Sequence, residues 1–275
     1  MDVSDSVLDR LRHVGSIPDL GETRYVLGEE IGRGGMGVVY AAHDRDLDRP
    51  VALKVLDPAF AGEAQLIARL DHPAVVPVYE TGMLPDGRWF YAMKRVAGTR
   101  LDQYAAGTAA LAERLRILRH IAEVLAFAHS RGVIHRDLKP QNIMVGEFGQ
   151  VYVMDWGIAA IEGTAAFRAP EPALEQRSDI YSLGVLMKFL LPGSSSPALR
   201  AIALKAMSSE PAARYQDAAA FLVEIDRFEE GRAVEAWSEP VWHRLQRFAS
   251  RNAILLWLLA AYAAVKFLLF FLRAL

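Results

Sequence analysis

The apolar residues of this chain change their spacing once, near residue 100, and that change restricts the fold more than any other feature. From Tyr25 to about Val96, short β-branched runs (VVYAA, PVALKVL, AVVPVYE) alternate with the turn-forming stretches DRDLDRP and LPDG. Such alternation predicts a mostly antiparallel sheet, with one helical segment, AGEAQLIARL, inserted in it. From Leu111 the period becomes helical: ERLRILRHIAEVLAFAHS places Leu115, Leu118, Ile121, Leu125 and Phe127 near one face. Further helices are expected over Asp179 to Leu191, Ala198 to Met207 and Asp217 to Phe228. Strands first and helices afterwards make an α+β chain. Its body runs over residues 25–232, with a sheet part at 25–96 and a helical part at 97–232.

A chain of 275 residues, 52% of them hydrophobic, can bury a sizeable core. The formal net charge of -2 offers no basic footprint of the kind nucleic-acid binders carry, so no nucleic-acid partner is expected. With no cysteine there are no disulfides, thiolate metal sites or cysteine nucleophiles, which fits a cytoplasmic location. Residues 1–24 form an extension without a signal-peptide pattern, in which Val7, Leu8, Leu11 and Val14 suit a short amphipathic helix.

The other end differs. After a polar stretch at 233–252, residues 253–272 read AILLWLLAAYAAVKFLLFFL, with Lys266 as the only charge. About twenty such residues cross ~30 Å of hydrocarbon, so a transmembrane helix anchored in the lipid bilayer is expected. A helix buried at the end of the domain and a helix lying in the membrane surface are the competing readings, although no charged face supports the second. Arg244, Arg247 and Arg251 precede the run and Arg273 alone follows it. The positive-inside rule then leaves the large part in the cytoplasm, on the inner side of the plasma membrane.

Four segments carry chemistry. IGRGGMGVVY, from Ile31 to Tyr40, is a glycine-rich turn between strands, where absent side chains let backbone N–H groups approach phosphate oxygens. Alone it is equally a structural turn, and no Lys-Ser or Lys-Thr follows to make it a Walker loop. In VALK, Lys54 lies in an apolar run, so a buried anion must accompany it; Glu63 is the natural counter-ion and Asp57 the alternative. Finally come VIHRDLKPQNIMV, Val133 to Val145, and VYVMDWG, Val151 to Gly157.

Together these segments resemble the catalytic and metal-binding loops of the eukaryotic-like (Hanks-type) protein kinases, and of bacterial serine/threonine kinases in particular. The resemblance covers roughly Tyr25 to Arg232 and implies a two-lobed protein-kinase-like fold with ATP and Mg²⁺, or Mn²⁺ in its place, in the cleft. Carried over residue by residue, it makes Asp137 the group that meets the substrate hydroxyl and Lys139 a stabiliser of the transferring phosphoryl group. Asn142 and Asp155 become the metal ligands, and Lys54, paired with Glu63, a phosphate contact. Ile31, Gly32, Gly34, Gly35, Gly37, Val39 and Ala52 would line the nucleotide site. Met93 would limit the adenine pocket, with the backbones of Lys94 and Val96 bonding adenine. Glu171 and Arg214 resemble the pair tying the activation segment GTAAFRAPE to the helical lobe, and Asp179 the brace of the HRD backbone. The implied partners are protein substrates phosphorylated on Ser or Thr, and a second copy of the chain for autophosphorylation.

The sequence departs from the family in four places. Trp156 replaces the usual phenylalanine, and only nine positions separate Lys54 from Glu63. Between Asp155 and Glu171, Thr164 is the only hydroxyl residue, leaving little for loop phosphorylation, with Glu162 as a fixed charge near Arg136. LPGSSS is all that stands where the family places an additional docking helix. Two rival functions follow: a membrane-anchored pseudokinase that binds ATP without transferring phosphate, and a small-molecule kinase on the same fold.

Overall fold

The computed structural model describes residues 17–21, 23–34, 37–56, 66–67, 69–107, 110–156, 166–171, 175–193, 196–242, 244, 249 and 252–274, with all their side chains except those of 255 and 268–274. The expected helix within 1–24 and most of AGEAQLIARL lie outside these residues, as do Gly35, Asp57, Glu63, Glu162 and Thr164.

The β-branched runs form β1 (Tyr25–Gly34), β2 (Gly37–Asp44), β3 (Arg49–Leu56), β4 (Val78–Met83) and β5 (Trp89–Lys94), an antiparallel sheet in the order β1-β2-β3-β5-β4. Alternation along β3 divides its side chains. Val51, Leu53 and Val55 join a small core with Tyr25, Val38, Tyr40, Leu84 and Phe90. Leu56, from the opposite set, joins the main core. Lys54 belongs to that second set. The register sets it opposite Val39 on β2 and Tyr91 on β5.

The helical part comprises α1 (Leu101–Tyr104), α2 (Leu111–Ser130), α3 (Gln176–Leu190), α4 (Pro197–Ala206) and α5 (Ala218–Glu229). Each observed long helix starts within three residues of its expected position, for local reasons. Ser196 caps α4, accepting from the Leu199 N–H with Pro197 in the first turn, and Asp217 caps α5, accepting from the Ala220 N–H. On α2, Leu115, Leu118, Ile121 and Leu125 are buried, whereas Phe127 is half-buried against the core. A second sheet, β6 (Gly98–Arg100), β7 (Ile143–Gly146) and β8 (Val151–Val153), lies in the order β6-β7-β8. It is stitched to the loop before β4, where the Val153 N–H donates to Ala74 O at 2.8 Å and Val75 bridges Val153. One apolar core runs from Leu56 and Tyr91 through α2 and α3 to Ile225 and Val234, so both parts share an interior.

Packing continues past Arg232. The buried Glu224 carboxylate accepts from the backbone N–H groups of Glu235 at 3.2 Å and Ala236 at 2.9 Å, and Val234 is buried in the core. Beyond this, α6 (Ala253–Ala274) is a single helix of 22 residues, about 33 Å at 1.5 Å per residue. All its described side chains are exposed, Trp257 and Phe267 among them, unlike those of a helix buried at the end of a domain. Among the described residues, no helix is long and apolar enough to cross a membrane.

Candidate active site

The glycine turn joins β1 to β2, with Gly34 opposite Gly37. A Cβ on Gly37 would lie 2.1 Å from the Val55 carbonyl oxygen, so the close approach of β3 demands glycine there. Gly32 and Gly34 are different. A Cβ on Gly34 would meet nothing within 4 Å, and one on Gly32 would make only an ordinary contact with Val39. Neither adopts a left-handed backbone. Packing and conformation therefore leave these two glycines unexplained, whereas close approach by a phosphate explains both.

Beneath the turn, directly opposed residues of neighbouring strands share a face. Val39, Ala52, Lys54, Tyr91 and Met93 thus lie together, and Val39 also pairs with Gly32. This face is the one expected to receive adenine. Ile31 is exposed on β1, and Val96 follows the end of β5. The Lys94 N–H already donates to Pro77 O at 3.1 Å, which leaves the carbonyl as the Lys94 group to offer adenine. Its ammonium donates to the Tyr152 hydroxyl at 2.7 Å.

The buried Lys54 ammonium finds its anion in Asp155, Nζ to Oδ1 at 2.8 Å. The two lie 101 positions apart, a pairing that no local spacing reveals. The Lys54 charge holds the Asp155 carboxyl below the ordinary carboxylate range, against an opposing effect of burial. Asp155 has φ 55° and Arg136 φ 68°, left-handed conformations that cost about 1–3 kcal/mol in a residue other than glycine.

Arg136 is held there by Asp179. Its carboxylate accepts from the Arg136 N–H at 2.9 Å, the His135 N–H at 2.7 Å and the His129 imidazole at 2.8 Å. The next residue, Asp137, is paired with Lys139, Oδ2 to Nζ at 2.7 Å, while the Asn142 amide donates to Asp137 O at 2.8 Å and Oδ2 at 3.0 Å. With its NH₂ group engaged twice, Asn142 keeps its side-chain oxygen as an acceptor. His135 joins the two loops. Its Nε2 donates to Met154 O at 3.0 Å and its Nδ1 accepts from the Asp137 N–H at 3.3 Å. One donor and one acceptor define the neutral imidazole, and burial lowers the His135 pKa in keeping with that.

Past these loops, Arg214 clasps Glu171 through two bonds of 2.7 Å and donates as well to the carbonyls of Ser208 and Arg177. Glu171 also accepts from the Ser178 hydroxyl, which fastens the segment around Glu171 to α3.

The model of the protein kinase domain matches residues 25–200. The chain belongs to that family. Serine/threonine-protein kinase PknB of Mycolicibacterium smegmatis is 36% identical over 78% of this chain and 44% of its own length. The protein of that name from Mycobacterium tuberculosis is 35% identical over the same shares. Serine/threonine-protein kinase PknD of Protochlamydia amoebophila is 29% identical over 79% of this chain and 26% of its own length. The chain thus spans less than half the length of these relatives.

A protein kinase domain implies ATP and a divalent ion, and the residues fit both. Among the described residues no group of three or more His, Cys, Asp or Glu could hold a metal ion by itself. Asp155 and Asn142 offer a carboxylate and an amide oxygen, the sparse set that suits Mg²⁺, which takes its remaining ligands from phosphates and water. Of the catalytic residues expected, Lys54, Asp137, Lys139, Asn142 and Asp155 all have places in the two bonded clusters just described. Sequence reasoning did not find the bridging role of His135. The one available signal was its place in HRD, which spacing alone cannot convert into a hydrogen bond.

Proposed function

We propose that the chain transfers the γ-phosphoryl group of ATP to Ser or Thr hydroxyls of proteins. The observation that carries this reading is that Lys54, Asp137, Lys139, Asn142 and Asp155 are all charged or polar, all paired, and all gathered on two adjoining loops and β3. Bound Mg-ATP supplies the activated phosphoryl group. Asp137 orients the incoming hydroxyl and accepts its proton, Lys139 adds positive charge beside it, and Asp155 and Asn142 hold the metal. Lys54 binds phosphate oxygens and keeps Asp155 ionised. Catalysis is then positioning plus charge stabilisation. The printed names of the relatives support serine and threonine as acceptors. Transfer between two copies of the chain belongs to the same reading.

The test is the full chain with Mg-ATP and a generic protein substrate, beside Asp137→Asn and Lys54→Met. Phosphoserine or phosphothreonine formed by the wild type and lost in both variants is expected. ATP binding without transfer would make the chain a pseudokinase, and transfer only to a metabolite a small-molecule kinase.

We also propose that α6 anchors the kinase in the plasma membrane, with the catalytic part on the cytoplasmic side. Its length, its exposed apolar side chains and the arginines before it support this reading. Cell fractionation tests it: full-length protein should sediment with membranes, and deletion of 252–275 should release it. Equal distribution of the two forms would remove the anchor from the reading.

A further inference from the structure

Trp156 stands where the resemblance calls for phenylalanine, and the exchange adds one group of consequence, the indole N–H. That N–H donates to the carbonyl oxygen of Val153 at 3.1 Å, at the end of β8. The ring is buried and packs on the imidazole of His135, centroids 4.8 Å apart at 45°. The stretch from Val153 to Trp156 is tied down at every other residue as well. The Val153 N–H is bonded to Ala74 O and the Met154 N–H to Asn142 O, both at 2.8 Å, and Met154 O is bonded to His135 at 3.0 Å. Within this stretch sits Asp155, in a left-handed conformation that relaxes wherever its surroundings allow. A phenylalanine at 156 could fill the pocket, but it could also leave the pocket without breaking a hydrogen bond.

We propose that Trp156 is a positioning residue whose indole N–H, bonded to the Val153 carbonyl, locks the loop that holds Asp155 against Lys54. The lock makes Asp155 ready for metal without phosphate on the segment 157–170, where Thr164 is the only hydroxyl residue. The proposal rests on the phosphotransfer reading for its consequence, though not for its geometry. A buried hydrogen bond of this kind shifts a local opening equilibrium by about two- to tenfold.

The experiment compares full-length wild type with Trp156→Phe. In the absence of nucleotide, the variant's backbone amides at 153–156 should exchange hydrogen two- to tenfold faster, with α2 unchanged as the internal reference. Its kcat should fall by a similar factor with little change in KM for ATP. Wild type treated with phosphatase should keep the untreated wild-type rate. Should Trp156→Phe fail to fold, β-(3-benzothienyl)alanine at 156 keeps the size and ring of tryptophan and lacks only the N–H. Unchanged exchange at 153–156 in the variant that folds would overturn the lock, as would loss of most activity on phosphatase treatment. Faster exchange in a protein whose wild type transfers no phosphate would leave the lock standing and remove the phosphotransfer reading.

Discussion

Replacing Glu171 by glutamine keeps the shape of the side chain and deletes its charge opposite a guanidinium that has nowhere to go. The Arg214 side chain is 0% exposed and Glu171 only 18%, so water cannot take over the role of the lost carboxylate. Removing one partner of a buried pair costs about 3–5 kcal/mol. The partial exposure of Glu171, and the one bond a glutamine oxygen can still accept, lower this to about 2–3 kcal/mol. For a domain of this size each kcal/mol moves Tm by about 2–4 °C, so Glu171→Gln should unfold about 4–12 °C below wild type at pH 7. The sign of the pH dependence is fixed. Hydrogen bonds from Arg214 hold the Glu171 carboxyl below its ordinary value of 4.5, so its folded-state pKa lies below the unfolded one. Its stabilisation is present above the ordinary value and is lost as pH falls through the folded-state value. Scanning calorimetry between pH 7 and pH 4 should therefore show a full gap at neutral pH that narrows below about pH 5. A gap under about 1 °C at pH 7, or one that stays constant into acid, would refute the reasoning.

Gly34→Ala should leave Tm unchanged and weaken Mg-ATP binding by about tenfold, ~1.4 kcal/mol, in a titration monitored by fluorescence. Gly37→Ala should instead destabilise the fold, because its Cβ would sit 2.1 Å from Val55 O, and thermal unfolding distinguishes the two. Asp179→Asn removes charge-assisted bonds to the His135 and Arg136 N–H groups, each worth about 1.5–3 kcal/mol. Phosphate transfer should slow by at least about tenfold as Arg136 relaxes from its left-handed conformation. Burial lowers the pKa of His135 below its ordinary 6.5, so the unfolded chain takes up a proton there before the folded one does. Stability should accordingly fall as pH drops below about 6.5, and His135→Gln should flatten that part of the acid limb in denaturant titrations.

What the sequence revealed follows the range of each interaction. The change of apolar period placed the sheet, α2, α3, α4 and α5, because periodicity records which face is buried. The catalytic loop was legible for a related reason. Its internal bonds, Lys139 to Asp137 and Asn142 to Asp137, join residues only two and five positions apart, so one contiguous motif contains both partners. Lys54 was recognisable as a buried cation in need of an anion, but periodicity gives no address for that anion. Asp155 arrives from the far side of the cleft. The stretch around 234–237 read as a polar tail leading to the membrane. Composition could not show that Glu224 would take up its backbone N–H groups and draw Val234 into the core. For Trp156 the sequence announced the larger ring, while the carbonyl waiting for its N–H became visible only in the fold.

The carboxylates of the site divide by how completely the protein satisfies them. Asp179, 1% exposed, receives three protein donors, and Glu171 receives both arms of Arg214 and the Ser178 hydroxyl. Such groups spend most of their accepting capacity on protein donors, and their work is to hold backbone in place. Asp155 is 42% exposed although the buried Lys54 is bonded to its Oδ1. A carboxylate kept ionised by a neighbouring charge, yet open to solvent along one side, is costly as a structural device and useful as a metal ligand. The left-handed backbone at Asp155 points the same way. A strained conformation persists where the surroundings impose it, and here they impose it on a carboxylate that stays partly open to solvent. The closed acids thus serve the open one: Asp179 fixes His135 and Arg136, and His135 fixes the loop on which Asp155 stands.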